Sequence, residues 1–362
     1  MNKSNVLPLN RVGIHDIDLV GEKNAFLGEM LQHVTNCGIN IPPGFVITVN
    51  AYNSFISYNA LDPVIASILS GIDFTNPGSF QRAAQKIRSL ISNASFPPEL
   101  TQEIIETYYE LSESCGQDAT DVAVRASAVT EYLPDASYAR QHETYLNVRT
   151  PATLIDAIRN CFASLYTGRA MLYRHYFGFE HMNAGIAVCV QKMVRSDLGA
   201  SGVAFSMSTE TGFKDAIVIN GSYGLGELVV QGSILPDAYI IHKSTVKDGS
   251  PSLLEKRMGV KDKIMVYGDN AGERVKVIPI EKELQSRFCL EDATALQLAG
   301  WVMRLEEHYS CISEKFTPLD VEWAIDGISR ELFIVQARTG TIHSGKNSNK
   351  ITATGYMVAP TI

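Results

Sequence analysis

The sequence is poor in cysteine, in clustered positive charge and in long apolar runs, and each shortage excludes a class of protein. Its 362 residues contain six scattered cysteines and no C-x-x-C pair, which argues against a disulfide framework and against a zinc site. No apolar run approaches the length of a membrane-spanning helix, and the N-terminus lacks the charged and then apolar segments of a signal peptide. We therefore expect reduced and mostly buried cysteines, no membrane association and a cytoplasmic location.

The balance of charge is acidic. The chain has 31 Lys and Arg residues against 39 Asp and Glu residues, which gives a net charge of −8. A protein that binds nucleic acid needs clustered basic residues, so no nucleic-acid partner is expected. A phosphate-bearing small molecule remains compatible with this charge, because the local field of a pocket counts for more than the total. The length is sufficient for two or three hydrophobic cores.

Residues 121–148 are the most informative stretch of the chain. Val122 and Val124 alternate with Ala123 and Arg125, which predicts a strand. A polar run follows, and a second apolar run covers 145–148. Arg125 is therefore expected where the strand gives way to a loop. A guanidinium group there can bind phosphate oxygens through two parallel hydrogen bonds, although a pair with a nearby carboxylate is equally compatible.

The N-terminal segment predicts a helix that begins near Gly21. Its apolar residues recur at helical spacing, at Phe26, Leu27, Met30, Leu31 and Val34. Lys23 falls in the first turn of this helix, where backbone N–H groups attract anions. The alternative is a solvated surface lysine, which is the usual fate of this residue type.

Residues 319–338 predict a hairpin with one polar face. Alternation places Asp320 with Glu322 on one strand, and Gln336 with Arg338 on the other. A loop of about five residues would set Asp320 opposite Gln336. The residues expected in the core are Val321, Trp323, Phe333, Val335 and Ala337. Carboxylate and amide oxygens beside an arginine suit a Mg²⁺–triphosphate site, although a solvated sheet face is the alternative.

Other segments predict the framework around these features. Helices are expected over much of 50–115, with breaks at 77–78 and 97–98, and over 292–309; one long helix is expected over 154–177. Strands are expected at 187–194, 201–207 and 216–220, and three successive antiparallel strands within 238–280. The glycine-rich run 221–232 matches neither a P-loop nor a dinucleotide-binding fingerprint.

Several of these motifs, in the same order, resemble the nucleotide-binding domain of the phosphoenolpyruvate synthase and pyruvate phosphate dikinase family, and that of the related rifampicin phosphotransferases. They are GEKNAFLGEM, the 121–148 stretch, VQKMVRSDLGASGVAFS, GSYGLGELVVQGSILPDAY, and LDVEWAIDG followed by LFIVQAR. The resemblance implies an α/β ATP-grasp fold, with mixed or antiparallel sheets, flanking helices and two subdomains that clamp ATP. We expect these subdomains at 1–190, with its phosphate-side loop at 125–144, and 191–343, followed by a linker at 344–362.

The same resemblance implies roles for individual residues in binding the phosphates of ATP. Lys23, Arg125 and Arg338 are expected to bind phosphates and to take part in catalysis. Arg140 and Thr144 are expected to contact the nucleotide. Arg140 stands where the family has a glycine, so it either contacts phosphate directly or blocks the usual approach of the backbone.

The resemblance also implies an adenine pocket and a metal site. The adenine pocket is expected at the end of the strand at 187–194. It comprises Gln191, Lys192, Met193 and Val194. Without the resemblance, Gln191 at a strand edge would be interpreted as an ordinary satisfied polar residue. Glu322 and Gln336 are expected to bind Mg²⁺.

The sequence leaves the phosphoryl acceptor open. Full-length members of the family continue into a swivelling phosphohistidine domain and a pyruvate-binding barrel, neither of which is expected within these 362 residues. The chain would then use a separate phosphohistidine domain as its partner. The alternatives are a stand-alone ATP-grasp ligase or small-molecule kinase with another acceptor, and a non-catalytic nucleotide-binding subunit.

Overall fold

The computed structural model describes residues 4–129, 143–248, 252–268 and 274–340. The chain divides into a first unit, Met1–Met193, and a second unit, Val194–Ile362. Each unit is built from antiparallel sheet and flanking helices. The predicted mixed α/β class with antiparallel sheets is therefore confirmed.

The first unit contains a five-stranded sheet in the order β1-β2-β5-β3-β4, and every neighbouring pair is antiparallel. Its strands are β1 (Val6–Pro8), β2 (Gly44–Ile47), β3 (Val122–Ala128), β4 (Thr144–Val148) and β5 (Ile186–Lys192). The β3–β4 pairing is irregular between Val122 and Val124, and Asn147 adopts a positive φ of 53° on the facing strand. β5 is the central strand, and Gln191 lies one residue before its end.

Prolines begin helices in the first unit rather than only separating them. Pro77, Pro98 and Pro151 each occupy a first-turn position, where the missing N–H costs nothing. The helices are α1 (Ile17–Val20), α2 (Glu22–His33), α3 (Val49–Tyr58), α4 (Leu61–Ser70), α5 (Pro77–Asn93), α6 (Pro98–Ser114), α7 (Pro151–Ser164) and α8 (Gly168–Tyr176). The single long helix predicted over 154–177 is two helices, because the Thr167 side chain caps a new start by accepting from the Ala170 N–H.

The two faces of β3 have different surroundings. Val122, Val124, Ala126 and Ala128 belong to the hydrophobic core of the first unit, together with the ring cluster Phe55, Phe96 and Phe162. Because side chains alternate along a strand, Arg125 points to the opposite face. The helix α2 packs against β3 on that side, through the turn that begins it.

The second unit contains a six-stranded antiparallel sheet in the order β13-β12-β6-β7-β8-β9. Its strands are β6 (Ala200–Phe205), β7 (Ala216–Tyr223), β8 (Asp237–His242), β9 (Leu253–Arg257), β12 (Leu319–Ile325) and β13 (Leu332–Thr339). β10 (Lys263–Tyr267) and β11 (Val275–Pro279) form a separate two-stranded sheet. Of the three successive antiparallel strands expected within 238–280, the last two pair with each other as expected. The first, β8, pairs with β7 and β9 instead.

One long helix covers the core face of the six-stranded sheet. The helices of this unit are α9 (Glu227–Val230), α10 (Lys243–Lys247), α11 (Lys282–Gln285) and α12 (Asp292–Ile312). The apolar stripe of α12, which includes Leu298, Val302 and Leu305, is buried. Trp323 is also buried, and it lies so close to Gly221 that a Cβ there would come within 2.5 Å of its ring. The glycine therefore makes room for the ring.

Two buried ion pairs occur in the second unit. Asp237 accepts from the Lys261 ammonium group and from the backbone N–H groups of Gly259 and Cys289. Lys243 pairs with Glu306 on α12. Each charge has a close partner, which offsets the cost of removing it from water.

The expectation that the cysteines are mostly buried holds for only half of them. All six are free, and three of them, Cys161, Cys189 and Cys289, are buried. Within the described ranges, no helix combines the length and the apolar character that crossing a bilayer requires.

Candidate functional site

In the first unit, the turn before α2 rests directly on β3. Gly21 has φ 76° and ψ 157°, a conformation essentially restricted to glycine, and a Cβ there would lie 2.2 Å from the Ser127 Oγ. The N-cap position of α2 provides no side-chain hydrogen bond. The start of the helix, with Lys23 half-buried in its first turn, therefore lies beside the β3 face that carries Arg125.

Arg125 and Thr144 lie opposite each other on β3 and β4, so their side chains share one face. Arg125 lies in the middle of β3 rather than at its end, which corrects the expected strand boundary. Its charge is close enough to the thiol of Cys189 to lower the pKa, although burial dominates and raises it to about 12. The structure thus brings together the α2 start, Arg125 and Thr144.

One predicted nucleotide-binding residue of this unit cannot be placed. Arg140 lies outside the described residues, as do residues 130–142 as a whole. Its substitution for a glycine remains a feature of the sequence alone.

At the end of β5, several polar groups of the expected adenine pocket are already hydrogen-bonded within the protein. Gln191 is only 1% exposed, and its amide Nε2 donates to the Pro42 carbonyl at 3.2 Å. The backbone N–H groups of Lys192 and Met193 donate to the Pro43 and Asp121 carbonyls, both at 2.9 Å. These groups hold the strand end in place and are already occupied.

Arg195, which follows β5 by three residues, is hydrogen-bonded to the loop between β12 and β13. The Arg195 N–H donates to Asp326 at 3.0 Å, and the Gly327 N–H donates to the Arg195 carbonyl at 3.0 Å. The Arg195 guanidinium pairs with both Asp197 carboxylate oxygens and lies 4.6 Å from the Tyr267 ring centre. Val194, which immediately precedes Arg195, is 7% exposed.

In the second unit, β12 and β13 form the expected hairpin in a different register. Glu322 lies opposite Gln336, and Asp320 lies opposite Arg338. The expected pairing of Asp320 with Gln336 is therefore wrong, because the connection is one residue longer than the assumed loop and a β-bulge in the hairpin shifts the register by one more. All four polar residues nevertheless share one face, since directly opposed residues of an antiparallel pair point the same way.

A β-bulge explains the errors in the predicted core of this hairpin. The register shifts between Glu322 and Trp323, so that Trp323 lies opposite Ile334. Leu332 and Ile334 are buried, whereas Phe333 and Val335 are only partly buried. Beyond the bulge, the alternation predicted for β13 is therefore inverted. Val321, Trp323 and Ala337 are buried as expected.

Asp320 is the residue that the sequence analysis placed on this face without giving it a role. Its Oδ2 accepts from Arg338 Nε at 3.2 Å and lies 3.1 Å from Nη2, which fixes the direction of the guanidinium. Burial raises the pKa of Asp320; Arg338 lowers it and the neighbouring charge of Glu322 raises it further. The strand alternation that places Glu322 on this face also places Asp320 beside Arg338, so the sequence pattern could have predicted the contact between Asp320 and Arg338.

The donor set on this face fits a hard divalent cation that also binds phosphate. No cluster of three or more His, Cys, Asp and Glu side chains with metal-binding geometry occurs in the part of the chain that the structure describes. Mg²⁺ does not need one, since it commonly takes one or two protein oxygens and completes its shell with phosphate and water. Glu322 and Gln336, directly opposed, supply two such oxygens.

Comparisons with a family model and with individual proteins both identify the same family. A family model described as "Pyruvate phosphate dikinase, AMP/ATP-binding domain" matches residues 17–357. The chain is 51% identical to the phosphoenolpyruvate synthase of Aquifex aeolicus, over 97% of this chain and 41% of that protein. It is 45% identical to the Synechocystis protein of the same name, over 96% and 43%, and 39% identical to that of Escherichia coli, over 94% and 42%. The chain therefore spans about two fifths of the length of these curated relatives.

Proposed function

Because the chain belongs to the pyruvate phosphate dikinase AMP/ATP-binding domain family, we propose that it binds Mg-ATP and transfers a phosphoryl or pyrophosphoryl group from it. The observation that carries the proposal is the family match, which covers residues 17–357. The relatives are phosphoenolpyruvate synthases, and we propose that this chain performs the ATP-handling part of that reaction. We also propose an ATP-grasp fold, with contributions to nucleotide binding from both units.

The phosphates of ATP are proposed to contact cationic groups on each unit. In the first unit these are Lys23, at the start of α2, and Arg125, which shares a face with Thr144. A helix start offers backbone donors, and the guanidinium offers a fork that matches phosphate oxygens. In the second unit Arg338, held by Asp320, would neutralise charge on the transferred group. Arg140 is proposed as a further contact on sequence grounds alone.

Adenine is proposed to bind at the Gln191–Val194 segment, with one backbone donor favoured. The Lys192 and Met193 N–H groups are already bonded within the first unit. The Val194 N–H has no hydrogen-bond acceptor among the described residues, so it is the best candidate donor to the adenine ring. Gln191, buried and bonded to Pro42, would contribute by fixing this segment and by its remaining amide oxygen.

Magnesium is proposed to bind Glu322 and Gln336 through their side-chain oxygens. When bound, the ion would offset the negative charge of the triphosphate. The protein groups around it orient the reactants: Asp320 holds Arg338, and the bulge after Glu322 fixes where this carboxylate points. Catalysis of this type depends mainly on positioning and charge neutralisation.

A different acceptor is the competing proposal. A stand-alone ATP-grasp ligase or kinase would use the same phosphate and metal groups with a different acceptor. In the main proposal the acceptor is instead a phosphohistidine domain. The free cysteines are compatible with the proposed cytoplasmic location.

The test is phosphorus NMR of ATP turnover with Mg²⁺, with and without a phosphohistidine domain or candidate small-molecule acceptors. AMP with phosphate supports dikinase-like transfer, whereas AMP with free pyrophosphate indicates adenylating chemistry. ADP as the only nucleotide product favours a kinase or an acyl-phosphate ligase. Absence of both turnover and Mg-ATP binding would contradict the proposal.

A further inference from the structure

Glu143, the residue before Thr144, is held by contacts from several elements of the first unit. Its side chain accepts hydrogen bonds from the Arg88 guanidinium on α5 and from the Tyr145 hydroxyl. Its backbone carbonyl accepts from the Ala126 N–H of β3 at 3.4 Å, and the Cys161 thiol of α7 lies 3.8 Å away. The start of β4 is therefore fixed on its side chain and on its backbone.

The contacts of Glu143 lie on the face of the sheet opposite the phosphate-facing residues. Tyr145 is opposite Val124, which belongs to the hydrophobic core, whereas Thr144 is opposite Arg125. Alternation along β4 directs Glu143 and Tyr145 towards the core side and Thr144 towards the other side. The contacts that hold the Glu143 side chain on the core side therefore also fix the position of Thr144 relative to Arg125.

The protonation states suit this arrangement. Burial, followed by the hydrogen bond to Glu143, raises the pKa of Tyr145, so its hydroxyl keeps its proton and donates. Burial and the neighbouring Glu143 also raise the pKa of Cys161, so its thiol stays neutral. Glu143 therefore has one cationic donor, Arg88, and one neutral donor, Tyr145.

The burial of part of the Arg88 guanidinium is unfavourable for folding. Its Nε is buried and has no hydrogen-bond partner among the described residues. A buried unsatisfied donor destabilises the folded state, and an apolar side chain at this position would avoid that penalty. The contact that offsets the cost is the one to Glu143.

We propose that Arg88 and Tyr145 are positioning residues, which hold Glu143 so that Thr144 stands opposite Arg125 for phosphate binding. The inference rests on the proposed function, since it assigns these residues to the ATP phosphates. In this scheme Arg88 of α5 and Tyr145 of β4 support the phosphate-binding face from the opposite side of the sheet. Neither residue contacts the nucleotide in this scheme.

The test compares Arg88→Gln and Tyr145→Phe with a matched control, Arg159→Gln. Arg159 lies in the same unit, pairs with Asp156 at 2.7 Å, and also has a buried Nε without a partner in the described ranges. Calorimetry would measure binding of Mg-ATP, of tripolyphosphate and of adenosine to the full chain. Circular dichroism would measure the unfolding temperature of each variant.

Arg88→Gln is expected to weaken Mg-ATP and tripolyphosphate binding by about tenfold, the scale of one charge-assisted hydrogen bond. Adenosine binding should be unchanged, because a positioning role acts only on the phosphate side. Tyr145→Phe should weaken Mg-ATP and tripolyphosphate binding by a smaller factor and also leave adenosine binding unchanged. Arg88→Lys should bind both phosphate ligands more tightly than Arg88→Gln does.

Two results would overturn the inference while the wild type binds Mg-ATP: unchanged tripolyphosphate binding in Arg88→Gln, or an equal loss in Arg159→Gln. Equal weakening of adenosine and tripolyphosphate would also overturn it, since that pattern indicates general destabilisation. A wild-type chain that binds neither Mg-ATP nor tripolyphosphate would instead refute the proposed function. The two failures are therefore distinguishable.

Discussion

At the scale of single residues, the proposed phosphate-binding side of the first unit depends on Gly21, a position whose conformation is essentially restricted to glycine. Gly21 combines a positive φ with the closest approach of the α2 turn to β3. Lys23 follows two residues later, so its position depends on this turn. The sequence shows the glycine but not the reason for it, because the neighbour, Ser127, is more than a hundred residues away.

Gly21→Ala is expected to destabilise the first unit by about 3 kcal/mol or more, because strain in a glycine-only conformation adds to the clash with Ser127. Gly38→Ala is the control: it shares the same φ of 76° but has no atom within 4 Å of a new Cβ. That variant should lose only about 1 kcal/mol. Urea unfolding followed by circular dichroism measures both, and equal losses would contradict the role of the contact.

Glu322→Gln is expected to weaken Mg-ATP binding by about tenfold, because a neutral amide is a poorer ligand for a hard cation than a carboxylate. Binding of ATP without metal should not weaken. Glu255→Gln, which removes an exposed carboxylate from β9 of the same sheet, provides the control. Titration calorimetry with and without Mg²⁺ measures the effect, and an equal loss without metal would exclude a metal-binding role.

At the scale of elements, alternation and helical spacing identified most strands and helices but not their partners. The strand at 122–128, the helix at 22–33 and the 319–339 hairpin follow from local pattern. The register of that hairpin does not, because one bulge after Glu322 inverts the pattern beyond it. The pairing of β10 with β11 was predicted, but their separation from the six-stranded sheet was not, since that is decided by distant residues.

The packing of α8 predicts a pH dependence for the first unit. The buried Arg174 donates from Nε to His181 Nδ1 at 3.2 Å, and Phe74 stacks on both His175 and His181. Burial, followed by the charges of Arg174 and His175, lowers the pKa of His181 to about 4. The unfolded chain, with an ordinary histidine pKa of about 6.5, therefore binds this proton more readily than the folded chain.

Stability from His181 is thus complete above about pH 6.5 and is lost as the pH falls towards 4. Urea midpoints at pH 7.0, 5.5 and 4.5 would measure the effect by circular dichroism. His181→Gln, which cannot titrate, should show a smaller drop across this range than the wild type. Parallel pH profiles for the two proteins would contradict the assignment.

At the scale of the whole molecule, the family could be identified from sequence because several long motifs occur in a fixed order. The match over 17–357 agrees with that order. The two units can also be monitored separately, because both tryptophans, Trp301 and Trp323, lie in the second unit. Tryptophan fluorescence thus reports on the second unit, whereas helical circular dichroism includes α2–α8 of the first.

The central proposal is that this chain binds Mg-ATP and that Arg125 binds its phosphates. The most direct measurement is calorimetric titration of Mg-ATP into the wild type, Arg125→Gln and the exposed-arginine control Arg82→Gln. We predict one site per chain, with affinity weakened by about tenfold to a hundredfold in Arg125→Gln and unchanged in Arg82→Gln. Absence of binding to the wild type, or equal affinity in Arg125→Gln, would contradict the claim.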